Sequence, residues 1–448
     1  VLLKNDGAIP LKAPRTIAVI GSDMGPAHNG PNGCGDHGCL DGTLAMGWGS
    51  GTTQFPYLID PLAALVERAA EDGSSINWSL DDWDTARAAS TAANSNVAIV
   101  GIASDSGEGY ITVDGNEGDR NNLSAWHNGD ELVKAVAGAN ANTVVVVHSV
   151  GPMDVEVWIE HPNVTAVVWA GVPGQESGNA LVDVLYGVVN PSGRLPYTIA
   201  KNINDYPAHI DYVNRSPPLE PQVEYTEKLN IDYRHFLAND IEPRFGFGYG
   251  LSYTTFEYSD INIGSSGKKH GKRGDAQRSF QAVDESMVDD VHNPSDGILA
   301  EGDTSITTEG DTTILGDGSD SSALPTFGEH EGGHTRIGTQ NSPKLHRARW
   351  TVTATVSNTG KATGWAVPQL YISYPEGSGE PPRVFRDFER VRLRKGKSQK
   401  VKFELSAYDV SVWDVVKQKW VIPEGEFIAR VADNAFDEGV TATWTPQV

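Results

Sequence analysis

The sequence predicts two domains in series: an α/β sandwich, with a mainly parallel sheet covered by helices on both faces, and then an all-β sandwich carrying a long insertion. Three observations carry this reading. Short, almost continuous apolar runs alternate with helix-compatible stretches over residues 16–200. From residue 246 the texture turns to short alternating segments rich in Val, Thr and aromatics, bounded by turn residues. Within that second half, residues 265–345 are rich in Gly, Ser, Asp and Thr and keep no periodicity, so they read as a surface insertion with little core of its own.

Taken in order, residues 1–15 ("VLLKNDGAIPLKAP" and onward, with no Met and no signal peptide) read as a linker from a preceding segment. The α/β domain is expected over 16–245. Its strands are "TIAVIG" at Thr16–Gly21, Val97–Ala103, "TVVVVHS" at Thr143–Ser149 and "VTAVVWAG" at Val164–Gly171. Helices are expected at Pro61–Ala70, Trp83–Asn94, Gly129–Ala137 and Ser177–Tyr186. The β-sandwich is expected over 246–448, in segments such as "RARWTVTATVSNTG", "VPQLYISYP", "KVKFELSAYDVSVWD" and "GEFIARVADN". Ligands of parallel sheets sit beyond the C-terminal strand ends. The loops "GSDMGPAHNGPNG" and "SDSGEGY" each follow such an end.

Charge and composition narrow the function classes. A formal charge of −24 over 448 residues repels nucleic acid and anionic membranes and suits a secreted, extracellular protein working in acid. No apolar run approaches the ~18 residues of a membrane span. The two cysteines, Cys34 and Cys39, sit in "GCGDHGCL" and read as a disulfide, ahead of free thiols or a zinc site that would have to recruit His28 and His37. Sequons at Asn77, Asn122, Asn163 and Asn214 point to the same oxidising compartment.

Several motifs fail as other chemistries. "GSDMGPAHNG" has neither the G-x-G-x-x-G spacing nor a G-K-[ST] ending, and Pro26 disrupts the helix start that phosphate binding needs. "GWGSGT" is no nucleophile elbow, because Trp48 stands where the first glycine belongs; Ser50 in that glycine-rich loop suits a sugar hydroxyl instead. Glu176 precedes a helix, where its charge suits the dipole, a structural role. Glu108 is different. A loop glutamate is in most proteins only a solvated charge, but Gly107 and Gly109 let the backbone approach a ligand, and Tyr110 offers a ring to stack on a sugar. "TVDGNEGDRNNL" then brings Asp114, Glu117, Asp119 and Arg120 close by. Such a carboxyl suits general acid work. A glycosidase needs two carboxylates, about 5 to 5.5 Å apart for retention.

The segments "SDSGEGYITVDGNEGDRNNL", "VVWAGVPGQESGNALVDVLYGVVNPSGRLPYT", "FGFGYGLSYTTFEYS" and "SVWDVVKQKWVIPEGEF" closely resemble the secreted fungal β-glucosidases of glycoside hydrolase family 3, and the similarity runs from residue 1 to the terminus. The resemblance implies an N-terminal (β/α)8 barrel, an α/β sandwich and a fibronectin type III-like domain, with "VLLKNDGAIPL" similar to the link after the barrel. It implies a nucleophilic Asp in an S-D-W motif on the barrel. No S-D-W occurs in this chain; "LDDWD" at 80–84 has the wrong first residue and falls in an expected helix. By the same resemblance Glu108 is the acid/base, Tyr110 walls the +1 sugar subsite and Ser50 borders the −1 glucose. The implied substrates are cellobiose and cello-oligosaccharides, and the implied partner is the barrel portion, without which the chain is expected to be inactive. No cofactor and no metal is implied, and a homodimer is compatible with the sequence. Two other readings stand beside this one: a β-xylosidase of the same family, and a non-catalytic carbohydrate-binding or structural fragment.

Overall fold

The computed structural model describes residues 1–35, 42–49, 51–106, 112–113, 116–117, 120–209, 224–266 and 344–446. Ser50, Glu108, Tyr110, Cys39, Asn214 and nearly all of the expected insertion lie outside them.

A six-stranded sheet organises the first half, in the order β1-β8-β7-β4-β2-β3. Its strands are β1 Leu2–Asn5, β2 Thr16–Ile20, β3 Ser75–Ser79, β4 Val97–Ser104, β7 Thr143–Ser149 and β8 Val164–Trp169. Thr112–Val113 and Asn116–Glu117 form a separate small pair, β5 and β6. All neighbours in the large sheet run parallel except β1, which pairs antiparallel with β8. Every residue of β4 and β7 is buried, which explains why these strands read as continuous apolar runs and not as alternation. Helices α2 (Thr85–Ala93) and α3 (Gly129–Ala139) cover one face, where Ala88, Leu132 and Val136 meet Ala98, Val100 and Ile102. Helices α1 (Pro61–Asp72) and α4 (Ser177–Leu185) cover the other, where Leu65, Leu181 and Leu185 meet Val97 and Ile99. The end signals of α1 are all in its sequence: Asp60 accepts from Ala63 N at 2.9 Å, Pro61 starts the first turn, and Gly73 stops the helix at φ 68°.

Three expectations change. Residues 1–15 are more than a linker, because β1 closes one edge of the sheet and buries Leu2 and Leu3. Strand β3 was not expected, since "SINWS" mixes turn-forming residues into an exposed edge. Residues 80–84 precede α2 instead of belonging to it: the Asp84 carboxylate accepts from Arg87 N at 3.0 Å, so this acidic stretch caps the helix, a position Asp prefers to the interior.

The second half is a β-sandwich. One sheet has the order β15-β10-β9, from Ser398–Ser406, Ala348–Asn358 and Phe256–Ser265. The other has the order β13-β12-β18-β19, from Val384–Phe388, Gln369–Ser373, Phe427–Ala432 and Val440–Trp444. The short pairs β11–β14 (Gly364–Ala366, Val391–Leu393) and β16–β17 (Val412–Asp414, Lys419–Val421) flank them. Alternating residues such as Val352, Ala354 and Val356 pack on Phe403, Leu370 and Phe427 between the sheets. Strands β9 and β10 are antiparallel neighbours, Ser265 opposite Trp350, so the chain leaves and re-enters one sheet on adjacent strands. The insertion is also narrower than 265–345. Ser265 belongs to β9, while Leu345 is buried and its carbonyl accepts from Tyr408 N.

The change of domain falls later than residue 246. Leu251 N donates to Leu2 O and Tyr253 Oη to Val184 O, which keeps these residues with the first half. The halves meet through aromatic packing: Tyr233, on the short helix α5 (Tyr233–Ala238), stacks on Phe247 at 4.8 Å and meets Tyr371 edge-on.

Candidate active site

The two loops implicated by the sequence leave the C-terminal ends of β2 and β4, and the chain after β7 lies beside them. Beyond β2, the Asp23 carboxylate is buried and accepts from Leu44 N at 2.9 Å, while Thr43 Oγ1 donates to Asp23 O at 2.8 Å. These bonds fold residues 42–49 back over the strand ends. Trp48 packs there on Trp126 (5.7 Å between ring centroids), with Leu44 and Ala103 beneath. Ser50 itself lies outside the described residues, directly after a Gly49 held at φ 110°.

Asp23 also bonds His148, at the end of β7: Oδ2 to Nδ1 is 2.6 Å, and His148 Nε2 lies 3.3 Å from Ser177 Oγ at the start of α4. The order Asp, His, Ser matches a hydrolase triad, but exposures of 3, 0 and 1% leave a substrate no way to Ser177. The network is a brace tying β2, β7 and α4 together under the crest. Sequence reasoning missed it; its one signal is a histidine ending an otherwise apolar strand.

Beyond β4, Asp105 is fully buried. Its Oδ1 accepts from Ser106 N at 2.8 Å, and among the described residues its Oδ2 has no hydrogen-bond partner. Burial pushes its pKa up to about 7, against smaller lowering effects of the Ser106 amide and the Arg120 cation. The chain returns at Arg120, whose guanidinium donates to Ser104 Oγ at 2.9 Å and Pro152 O at 2.7 Å. Ser104 and Arg120 thus hold together the two ends of the stretch that contains Glu108 and Tyr110, both outside the described residues.

The other expectations are placed as follows. Glu176 is the N-cap of α4 without capping it; its carboxylate accepts from Tyr57 Oη at 2.5 Å and Asn179 Nδ2 at 2.7 Å. Asn77 and Asn122 are exposed, whereas Asn163 is half-buried and its amide donates to Ala137 O. Cys34 is not a free thiol, and Cys39 falls outside the described residues. Among the described residues no group of three His, Cys, Asp or Glu is placed to hold a metal ion, and no helix is long and apolar enough to cross a membrane.

The fold is that of an α/β domain joined to a fibronectin type III-like sandwich, with buried polar side chains gathered under the crest of the parallel sheet. The chain belongs to glycosyl hydrolase family 3: residues 1–253 match its C-terminal domain, and residues 366–435 match the fibronectin type III-like domain. It is 42% identical to the probable β-glucosidase L of Aspergillus terreus over 99% of this chain and 52% of that protein. It is 43% identical to the β-glucosidase cel3A of Pyricularia oryzae, over 98% of this chain and 51% of that one. Among solved structures, it superimposes on a β-D-glucoside glucohydrolase from Trichoderma reesei with TM-score 0.79 at 41% identity, over 99% of this chain and 53% of the other. On β-glucosidase D2-BGL from Chaetomella raphigera the TM-score is 0.80 at 40% identity, over 100% and 53%. The chain spans about half the length of the curated relatives it matches.

Proposed function

We propose that this chain is the C-terminal portion of a retaining, exo-acting β-glucosidase that releases glucose from cellobiose and cello-oligosaccharides. The observation that carries this is the likeness to β-glucosidases at 40–44% identity across nearly the whole chain. In this reading a barrel Asp, on sequence N-terminal to this chain, attacks the anomeric carbon. Glu108 gives its proton to the leaving glycosidic oxygen, and the carboxylate so formed takes a proton from the water that hydrolyses the glycosyl-enzyme. Ser50 borders the glucose being released, and Tyr110 stacks on the leaving sugar.

In sequence Glu108 follows β4, in a stretch whose ends are tied together by Arg120 and Ser104, and this supports the reading. Secretion, glycosylation and a Cys34–Cys39 disulfide complete the proposal, supported by the sequons and the acidic surface. Assays of residues 1–448 with and without the N-terminal half, on aryl β-glucoside and aryl β-xyloside, test it. Glucoside turnover that needs both halves is expected. Faster xyloside turnover would move the substrate to xylosides, and activity of 1–448 alone would overturn the shared site.

A further inference from the structure

We propose that the polar groove between β3 and α2 is the seat of an N-linked glycan on Asn77, and that the seated sugar covers the open edge of the six-stranded sheet. The proposal rests on the secretion and glycosylation put forward above.

The register of the edge strand aims Asn77 at this groove. Asn77 lies opposite Ala18, which packs with Ala88 and Ala92 of α2, whereas Ile76 packs with the cluster on the other face of the sheet. Asn77 therefore projects on the α2 side. There it borders a groove of about 460 Å³, whose helical wall is Arg87, Ser90, Thr91 and Asn94. These four recur at i, i+3, i+4 and i+7, a polar stripe next to the buried Ala88 and Ala92. Thr91 Oγ1 donates to Arg87 O at 2.8 Å and Asn94 Nδ2 to Ser90 O at 2.9 Å, which holds both side chains and leaves their oxygens able to accept. Among the described residues the Arg87 guanidinium has no ion pair and the Asn77 amide no hydrogen bond. Hydroxyl, amide and guanidinium groups on one wall match the hydroxyls and acetamide of N-acetylglucosamine, and the volume is within the ~300 to 1,000 Å³ of small-ligand sites. In the modification an oligosaccharide passes from a lipid pyrophosphate to Asn77 Nδ2. The new C–N bond forms as the C–O bond to pyrophosphate breaks, and the amide gives up a proton.

The edge itself needs cover. Strand β3 pairs with β2 alone. Ser75 N donates to Arg15 O and Ser79 O accepts from Gly21 N, so by alternation the peptide groups of Ile76 and Trp78 face outward, away from the sheet. Open edges template pairing with another chain, and proteins blunt them with Lys, Pro or a covering element. The strand "SINWS" has no charge and no proline, and its Trp78 is 53% exposed. A sugar on the central residue supplies the missing cover.

The test uses the polypeptide with its N-terminal half, secreted from a glycosylating host. An endoglycosidase that cuts between the first two N-acetylglucosamines reads whether the sugar is seated. Two polar contacts should slow release at Asn77 in the folded protein by about tenfold relative to the Arg87→Ala/Asn94→Ala variant. Asn77→Gln should self-associate with rising concentration in light scattering while keeping its cellobiose kcat. Adding Trp78→Lys, which charges the edge, should return it to the parent's mass. Should Asn77→Gln secrete poorly, the parent stripped of sugar after folding takes its place in the same measurement. Sugar released at one rate from parent and helix variant would overturn the seat. A bare edge that never self-associates would overturn the cover. Secreted protein with no sugar on Asn77 would overturn both, and there the fault would lie with the glycosylation reading.

Discussion

Arg120 donates to Ser104 Oγ at 2.9 Å and, with its other terminal nitrogen, to Pro152 O at 2.7 Å, joining the end of β4, the returning chain and the loop after β7. The fork of a guanidinium makes this three-way junction; an ammonium at one point would reach a single acceptor well. The cation pays for its burial, which lowers its pKa, so the bonds must offset a desolvation cost. Arg120→Met and Arg120→Lys should each cost about 2 to 3 kcal/mol, while Ser104→Ala, which removes one acceptor, costs about 1. Urea unfolding measures this. A Lys variant as stable as the parent would show that the fork is dispensable.

Glu108→Gln should cripple cellobiose turnover in the enzyme with its N-terminal half, by about 100-fold or more. Azide should restore the second step with an activated glucoside, because it attacks the glycosyl-enzyme without a general base. Near-normal cellobiose turnover would remove Glu108 from the mechanism.

How much of this was legible depended on whether a signal was local. Strands β4 and β7 could be read directly, because burial on both faces demands unbroken apolar runs. Strand β1 could not: four residues of "LLKN" become a strand only because β8 offers them an edge. The brace of Asp23, His148 and Ser177 joins residues from three separate elements, brought together by parallel crossovers that no sequence spacing encodes. Asp105 stood in plain view within "SDSGEGY", yet nothing in a Ser-Asp-Ser stretch announces complete burial. The role of Glu108 came from family resemblance, since its glycines and neighbouring tyrosine only make an acid plausible.

Stability should be greatest in acid. Asp105, Asp82, Asp130, Asp433 and Glu380 all have raised pKa values with burial as the leading cause. A carboxyl raised on folding keeps its proton longer in the native state, so its contribution is full below the unfolded pKa and falls as pH rises towards the folded one. For Asp105 the window runs from about 4 to about 7 and is worth about 4 kcal/mol. Glu176, Glu242, Asp414 and Glu438 are lowered, chiefly by hydrogen bonds from Tyr57, Lys201, Lys417 and Arg383, and act oppositely as pH falls. Glu242 and Glu438 are exposed and Glu176 and Asp414 partly so, so solvent screens all four more than the buried set, which wins. The melting temperature should drop between pH 4 and 7, and Asp105→Asn should flatten that drop. A rise across the window would contradict the sign.

Glycan occupancy should follow side-chain freedom. Asn77 and Asn122 are exposed, whereas Asn163 is half-buried with its amide nitrogen bound to Ala137 O at 2.8 Å. Glycopeptide mapping of secreted protein should find sugar on Asn77 and Asn122 and little on Asn163. Full occupancy at Asn163 would mean that the bond to Ala137 is surrendered without penalty.

The connection between β9 and β10 makes the last case. These strands are antiparallel neighbours, and Ser266 N still donates to Arg349 O at 2.8 Å beyond the paired residues. A short turn could therefore join them. Residues 267–343 lie outside the described residues; their sequence is rich in Gly, Ser, Asp and Thr and poor in aromatics. Closing a flexible loop costs about 0.6 kcal/mol for each doubling of its length, so replacing this stretch by about five residues should stabilise the sandwich by about 2 kcal/mol. The cut must spare Leu345, which is buried and accepts from Tyr408 N. Joining Ser266 to Lys344 through a short Gly-Ser linker, then measuring the melting temperature and, with the N-terminal half present, cellobiose kinetics, tests both possibilities at once. A higher melting temperature with unchanged kinetics is the expected result. A fall in stability would mean that the removed residues pack against the domains, and a change in KM at unchanged stability would place them at the border of the substrate entrance.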